Sequence, residues 1–242
     1  MRPVALLLIS LLVTSAAAGQ TLTKRRAARS APPSVAQPQT VILTPSRDAT
    51  LYEIGNGSIA NGAGIHFFAG STSSSQRRRA LIAFDVASQI PPGSRILSAV
   101  LTLHVSLTIA GTETIRLHAV TADWTEGASN AGESRDGGGT SSQPGDATWI
   151  HTAFPAARWL TPGGDFSATP DATASVGNVG PFSWASTPAL VARVQSWVDQ
   201  PATNFGWIVI GNETTSRTAK RFNSREVLPA DSRPTLTISF VR

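Results

Sequence analysis

Short alternating strands are the feature that most restricts how this chain can fold. From Thr40 onward, segments of alternating apolar and polar residues are separated by clusters of Gly, Pro, Asn and Ser, which is the pattern of a β-sandwich or barrel. The alternation is clearest near the C-terminus, where Leu236, Ile238 and Phe240 face one side and the intervening Thr and Ser residues face the other. The sequence therefore predicts an all-β, antiparallel sandwich domain over residues 40–242.

Two segments predict specific strand arrangements. Residues 81–84 are apolar on both faces, which indicates a central strand that is covered on both sides. Residues 97–105 and 115–119 alternate on either side of a break at 110–112, which predicts a hairpin. Its register would place His104 directly opposite His118, where the two rings could share a metal or form a polar cross-strand pair. Further strands are expected near 41–43, 49–53 and 65–69.

One helix and one long loop system interrupt the strands. Thr187 is a suitable N-cap and Pro188 a suitable first helical residue; apolar residues then recur at helical spacing until Asp199-Gln200-Pro201. Between Glu126 and Trp184 the strand pattern fades into Gly- and Ser-rich segments. A loop system this long within one domain is usually functional or disordered.

The N-terminal residues predict export. Residues 1–18 combine a basic start, an apolar run and a small-residue cleavage site, as in a secretory signal peptide, and we expect a secreted or cell-surface protein without a membrane span. Of 20 basic residues, five lie in residues 1–29, so 15 basic and 15 acidic residues remain in the rest of the chain. Residues 19–39 are basic and rich in Pro, Ala and Ser, which predicts a disordered linker. Because the charge excess belongs to this segment, nucleic acid is not an expected partner.

Several segments resemble the DNRLRE domain, a jelly-roll module of secreted and cell-surface microbial proteins that is related to carbohydrate-binding module family 96. The resemblance is carried, in order, by residues 79–86, 99–105, 123–127, 206–213, 220–226 and 233–240. It implies a β-sandwich of jelly-roll type, with one short helix and the long loop system described above. It also implies a role in binding carbohydrate rather than in catalysis.

The sequence contains few signals of catalysis. Hydrolysis of a glycosidic bond normally requires two facing carboxyl groups, and the candidate carboxylates Glu126, Asp146 and Asp165 lie in loops with nothing to pair them. A lyase needs a Tyr, His or Lys as base, and the single tyrosine, Tyr52, lies in a strand where we expect it to pack. The chain has no cysteine, and no Ser stands in a nucleophile-elbow context. An enzyme that degrades polysaccharide is therefore less favoured than either a binding module or a structural surface protein.

Aromatic and basic residues provide the candidate binding site. Trp149, Trp159 and Trp184 belong to or border the Gly-rich loops, where an exposed ring could stack on a sugar. The alternative is that these rings anchor the loops. If the polysaccharide is acidic, Arg77 and Arg221 could bind its carboxylates bidentately, and the alternative for the arginines is simple solvation.

Calcium is the candidate structural cofactor. Asp48, Asn61 and Glu226 are oxygen donors in segments that could converge where the first and last strands meet, and calcium binds six to eight oxygens. The alternative is that Asp48 caps a turn and that Glu226 pairs with a neighbouring arginine.

The preferred function is attachment to an extracellular or cell-wall polysaccharide. The second is a structural or adhesive surface protein without a sugar site.

Overall fold

The alternating segments pair into one large antiparallel sheet that curls into two facing layers. The computed structural model describes residues 37–242, so the predicted signal peptide and nearly all of the predicted linker lie outside the described residues. The strands of the described part are β1 (Gln39–Leu43), β2 (Arg47–Tyr52), β3 (Ile59–Ala60), β4 (His66–Ser71), β5 (Arg77–Ala83), β6 (Arg95–Thr108), β7 (Glu113–Ala119), β8 (Thr140–Ser141), β9 (His151–Ala153), β10 (Ala157–Arg158), β11 (Ala172–Val176), β12 (Gly180–Trp184), β13 (Trp207–Ile210), β14 (Lys220–Asn223) and β15 (Thr235–Val241).

The order of paired strands shows how the sheet closes on itself. Along the sheet the order is β1, β15, β6, β14, β4, β5, β13, β7 and β11, with β12 also paired to β6 and β2 to β5. Strand β4 joins the layers, because His66 to Ala69 pair with β14 whereas Gly70 and Ser71 pair with β5. The first layer contains β1, β15, β6, β12 and β14, and the second contains β2, β5, β13, β7 and β11. The predicted all-β sandwich of jelly-roll type is confirmed.

Two apolar clusters lie on opposite faces of the second layer. Between the layers, the main core includes Ala80 and Ile82 of β5. On the outer face, Leu81 and Ala83 of the same strand belong to a second cluster. The prediction that residues 81–84 form a central strand covered on both sides is therefore confirmed.

The predicted hairpin of residues 97–105 and 115–119 is wrong. Strand β6 pairs with β12, β14 and β15, and β7 pairs with β11 and β13, so the two strands lie in different layers. The connection between them crosses from one layer to the other, and alternation alone does not identify a strand's partner. The pairing with β15 also shifts at Leu97, which places Ile96 rather than Leu97 in the core.

A buried lysine holds this crossing in place. The Lys220 ammonium is fully buried and donates to the carbonyl oxygens of Gly111 at 2.6 Å, Gly177 at 2.7 Å and Ala110 at 3.3 Å. These carbonyls belong to the connection from β6 to β7 and to the connection from β11 to β12. One side chain thus ties together two interlayer segments that do not pair through their backbones.

The predicted helix is confirmed as α1 (Pro188–Asp199). The Thr187 hydroxyl accepts a hydrogen bond from the Leu190 amide at 3.0 Å, as an N-cap does. Its apolar face packs into the main core, where the Trp197 and Trp207 rings lie 4.4 Å apart between centroids. Within residues 37–242, α1 does not have the length and apolarity that a membrane span needs.

The predicted loop system contains more regular structure than the sequence pattern indicated. Strands β11 and β12 lie within it, and β12 places Trp184 against the main core. The short pairs β9 with β10 and β3 with β8 form two small additional sheets. Residues 120–124 and 147–166 fold over the outer face of the second layer. Residues 136 and 137 instead contact Tyr52, His66 and Arg78.

Candidate functional site

The outer face of the second layer is divided into a covered half and an open half. Alternate residues of each strand point to this face. Toward one end they are apolar, and the loop residues of the second cluster cover them: Ala49, Leu51, Leu81, Ala83 and Ile208 lie under Val120, Trp124, Ala147, Trp149 and Trp159. Toward the other end the same strands present Arg77, Arg79, Ile210 and Arg116, which this layer of loops leaves open.

Two grooves mark the open half. We call the first the arginine groove; it encloses about 510 Å³ and is formed by Arg77, Arg79, Leu160, Pro162, Asp165 and Phe166. The second encloses about 390 Å³ and is formed by Glu113, Arg116, Ile210, Asn212 and Glu213. The grooves are neighbours, because the Arg79 guanidinium and the Glu213 carboxylate that separate them are hydrogen-bonded to each other. Together they form the open face.

Both arginines of the arginine groove are held in two-point contacts with glutamates. Arg77 Nε and Nη2 donate to Glu53 Oε1 at 2.9 and 2.5 Å, and the Arg77 amide donates to Glu53 Oε2 at 2.7 Å. Arg79 Nε and Nη2 donate to the two oxygens of Glu213 at 2.7 and 2.8 Å. The hydrogen bonds from Arg77 lower the pKa of Glu53, so this carboxylate stays ionised to lower pH. Such pairs fix the direction of each guanidinium fork.

An aromatic ring lies beneath these two arginines. The guanidinium carbons of Arg77 and Arg79 each lie 5.0 Å from the centroid of a Trp149 ring, within the range of a cation–π contact. Arg79 Nη1 also donates to the Gly163 carbonyl at 2.9 Å. Gly163 has a φ of +94°, and a Cβ at this position would lie 2.7 Å from both Trp149 and Arg79. Only glycine lets the loop approach this closely.

The wall of the arginine groove is a turn held by one carboxylate. Asp165 accepts hydrogen bonds from the amides of Leu160 at 2.8 Å and Thr161 at 2.9 Å. The turn leaves the Leu160 side chain 94% exposed. The groove thus combines an apolar rim with a floor of paired charges, an arrangement that can bind a ligand with both apolar and hydroxyl surfaces.

The three tryptophans of the predicted site are not at the surface. Trp149 is 4% exposed, Trp159 is 5% exposed and Trp184 is fully buried. Trp159 Nε1 donates to the Thr148 carbonyl at 2.9 Å, and Trp184 Nε1 donates to the Ile115 carbonyl at 3.1 Å. The expectation of exposed rings is wrong for two reasons. The loops that carry Trp149 and Trp159 cover the apolar half of the outer face, and Trp184 belongs to β12 and packs in the main core. The alternative role, anchoring the loops, fits the contacts of Trp149 and Trp159.

The two predicted arginines lie in different layers. Arg77 belongs to β5 and lines the arginine groove, whereas Arg221 belongs to β14. Arg221 Nε donates to Ser106 Oγ at 3.0 Å, and its Nη1 lies 3.5 Å from Asp136 Oδ2. The same Asp136 oxygen lies 2.6 Å from Nδ1 of the buried His66. Arg221 therefore takes part in a mostly buried polar cluster and does not join Arg77 in one site.

That cluster also contains the single tyrosine. Tyr52 is fully buried and donates to the Asp136 carbonyl at 2.5 Å. Burial raises the pKa of Tyr52 and lowers the pKa of His66, because the charged form of each is disfavoured away from water. Tyr52, as expected, packs in a strand.

Two of the three predicted calcium ligands are brought together, but by an arginine. Arg225 Nε lies 2.9 Å from Glu226 Oε1, and the Arg225 amide donates to Asp48 Oδ2 at 2.8 Å. Arg225 also donates to both oxygens of Glu126, at 2.8 and 2.5 Å. Burial, and next the charge of Glu226, raise the pKa of Asp48 well above its usual value. Four ionisable groups, Asp48, Glu126, Arg225 and Glu226, thus form one network.

The third predicted ligand uses its oxygen elsewhere. Asn61 Oδ1 accepts from the Ala131 amide at 2.8 Å, and Asn61 Nδ2 donates to the His66 carbonyl at 3.4 Å. Over residues 37–242, no group of three or more His, Cys, Asp or Glu residues is arranged to hold a metal ion. The contacts of Glu226 correspond to the alternative interpretation, pairing with a neighbouring arginine.

The predicted pair of histidines is also separated. His104 lies opposite Pro181 in the first layer. His118 lies in the second layer, where its Nδ1 is 2.8 Å from the Ser167 carbonyl oxygen and its ring packs edge-on against Phe166. The predicted metal site or cross-strand pair of His104 and His118 is therefore wrong, because it required the two strands to pair as a hairpin.

Of the residues that line the open face, only Arg77 is among the predicted binding residues. Arg79, Leu160 and Glu213 are the most important of those not predicted, and Asp165 is considered in the sequence only as an unpaired loop carboxylate. For Arg79 a signal exists in the sequence, because residues two apart in a strand share a face and Arg77 is a predicted binding residue. The contact that places Glu213 joins it to Arg79, 134 residues away, and spacing does not reveal it. Leu160 and Asp165 form a local turn, but the position of this turn beside Arg77 and Arg79 depends on the fold. Comparisons with models of protein families and with curated proteins give no match. The resemblance to the DNRLRE domain therefore stays a prediction.

Proposed function

We propose that this domain is a non-catalytic binding module that attaches to an extracellular or cell-wall polysaccharide through the open face. The observation that carries the proposal is the arginine groove, where an exposed apolar rim lies beside a rigid floor of hydrogen-bonding groups. A sugar ring has an apolar face and a hydroxyl edge, and binding sites combine apolar contacts with a few placed polar groups. The resemblance to carbohydrate-binding modules and the predicted signal peptide support the same role and an extracellular location.

We assign the carboxylates at the open face a role in binding rather than in catalysis. Glu53 and Glu213 are each paired with an arginine, and Asp165 is occupied by two backbone amides. A general acid or base must reach the proton that it transfers, and these carboxylates are engaged in holding the floor and the rim. We therefore assign them a positioning role.

The test measures binding and cleavage with the same polymers. The purified protein is run in affinity gels that contain neutral or acidic polysaccharides, and the polymers are assayed afterwards for new reducing ends and unsaturated uronates. We expect retardation in at least one gel without cleavage. Leu160→Ala should reduce retardation because Leu160 forms the rim. Leu228→Ala should not reduce it, since this leucine is similarly exposed, at 78%, but lies outside the groove. Equal effects of both variants, or release of cleavage products, would contradict the proposal.

An apolar groove on the first layer favours the second function, a structural or adhesive surface protein. Phe68, Leu107 and Ile109 line a groove of about 170 Å³ beside Arg221, and Leu107 and Ile109 are 53% and 72% exposed. Exposed apolar patches of this kind occur at protein contacts. If the purified protein binds none of a broad panel of polysaccharides, this interpretation becomes the leading one.

A further inference from the structure

The charges of the open face are compensated within the protein. Its basic side chains are Arg77, Arg79 and Arg116, and its acidic side chains, including the partner of Arg77, are Glu53, Glu113, Asp165 and Glu213. Three positive charges thus stand against four negative ones. A surface with this balance does not attract a polyanion over long range.

The guanidinium groups of Arg77 and Arg79 are also occupied at short range. Each of the three nitrogens of Arg79 already donates a hydrogen bond, two to Glu213 and one to the Gly163 carbonyl. The carboxylate of an acidic sugar could bind the Arg79 guanidinium in a two-point contact only by displacing Glu213, whose side chain is only 16% exposed. Leaving a mostly buried carboxylate without its partner is strongly unfavourable.

Paired charges remain able to bind hydroxyl groups. A hydroxyl both donates and accepts, so two neighbouring hydroxyls can donate to a glutamate oxygen and accept from the unused hydrogens of the adjacent guanidinium. This mode leaves the pairs intact. The exposed Leu160 and the neighbouring Pro162 supply apolar contact for the face of the ring.

We infer that the arginine groove of the open face selects neutral, hydroxyl-rich polysaccharides over polysaccharides that carry carboxylate or sulfate groups. The inference rests on the proposed function and specifies its ligand class. It differs from the expectation that free arginines would bind an acidic polymer, because the structure supplies each arginine of the arginine groove with a carboxylate from the protein itself.

The experiment compares polymers that share a backbone and differ in charge. Suitable pairs are hydroxyethylcellulose with carboxymethylcellulose, and fully methyl-esterified polygalacturonate with polygalacturonate. Retardation of the purified protein in affinity gels is measured at low and high salt. We expect the neutral member of a bound pair to bind at least about tenfold more tightly, with little change on adding salt, since screening affects mainly charge–charge attraction.

A variant tests the role of the compensating carboxylates. Glu213→Gln removes one negative charge and releases Arg79 from its two-point contact, so binding of the acidic member should increase and become sensitive to salt. Glu133→Gln removes an exposed negative charge outside the open face and should leave the preference unchanged. If the Glu213 variant does not fold, the comparison of neutral and acidic polymers with the wild-type protein still tests the inference.

The outcomes separate this inference from the proposed function. Tighter, salt-sensitive binding of the acidic members by the wild-type protein would overturn the inference and leave the binding module in place. Binding of neither member of any pair in a broad panel would overturn both. An equal gain of acidic binding in both variants would show that overall charge, rather than the Arg79–Glu213 pair, sets the preference, and would also overturn the inference.

Discussion

Truncation of Trp159 tests whether the loop tryptophans form a core or a binding surface. The ring is 5% exposed, belongs to the second apolar cluster, and donates one hydrogen bond to the Thr148 carbonyl. Truncating a buried Phe or Trp to Ala costs about 3–5 kcal/mol, and the lost hydrogen bond adds about 1 kcal/mol. We therefore expect Trp159→Ala to lower the free energy of unfolding by about 4–6 kcal/mol.

This loss is large enough to measure by two methods. For a domain of this size, each kcal/mol shifts Tm by about 2–4 °C, so Tm should fall by roughly 8–24 °C. Urea titration followed by circular dichroism gives the free energy independently, from the midpoint and the slope. In the proposed site, the Trp159 ring itself does not contact the ligand. Any loss of sugar binding below the new Tm should therefore come only from displacement of the neighbouring groove wall.

The neighbouring residue provides the control for this experiment. Leu160 is 94% exposed, and Leu160→Ala should change the free energy of unfolding by less than about 0.5 kcal/mol. The reasoning is refuted if Trp159→Ala costs less than about 1 kcal/mol, or if the two variants are equally destabilised. Either result would mean that the loop does not share the stability of the sheet beneath it.

Two further predictions concern buried charges. Because burial and then Glu226 raise the pKa of Asp48, the folded protein keeps this proton to higher pH than the unfolded chain does. The contribution of Asp48 to stability should fall as pH rises from about 3.9, the usual value, through the raised pKa. In Asp48→Asn this fall should be absent, and parallel pH profiles of urea unfolding for the two proteins would contradict the assignment. Lys220→Met keeps most of the unbranched side chain but removes the donor to three carbonyls, so we expect a loss of about 1–3 kcal/mol in the free energy of unfolding, measured with urea. An unchanged or increased stability would show that the desolvation of the ammonium outweighs its hydrogen bonds.

The elements that sequence predicted well are those with local causes. The helix is marked by Thr187 and Pro188 at its start and by apolar residues at helical spacing, all within one short segment. The further strands expected near 41–43, 49–53 and 65–69 are found as β1, β2 and β4, and the alternating segment of Leu236, Ile238 and Phe240 is found as β15. Alternation determines which residues share a face, and that property does not depend on the partner strand.

The errors concern contacts between distant segments. The hairpin prediction assumed that consecutive strands pair, whereas β6 finds its neighbours among strands that follow it by 70 residues or more. The bulge at Leu97 depends on the pairing of β6 with β15, so alternation within β6 could not reveal it. The calcium prediction placed Asp48 near Glu226 correctly in space but did not include Arg225, whose amide and side chain connect the two.

The burial of the tryptophans follows from a property that the sequence did show. Residues 81–84 are apolar on both faces, and such a strand must be covered on both sides because exposed apolar area is unfavourable. The main core covers one face, through Ala80 and Ile82. The other face, with Leu81 and Ala83, needs large apolar side chains from outside the main sheet, and Trp149 and Trp159 in the loop system supply them. The Gly-rich loops are therefore a packed cover that ends at the open face, and the position of its edge, at Gly163 and Leu160, places the groove beside Arg77 and Arg79.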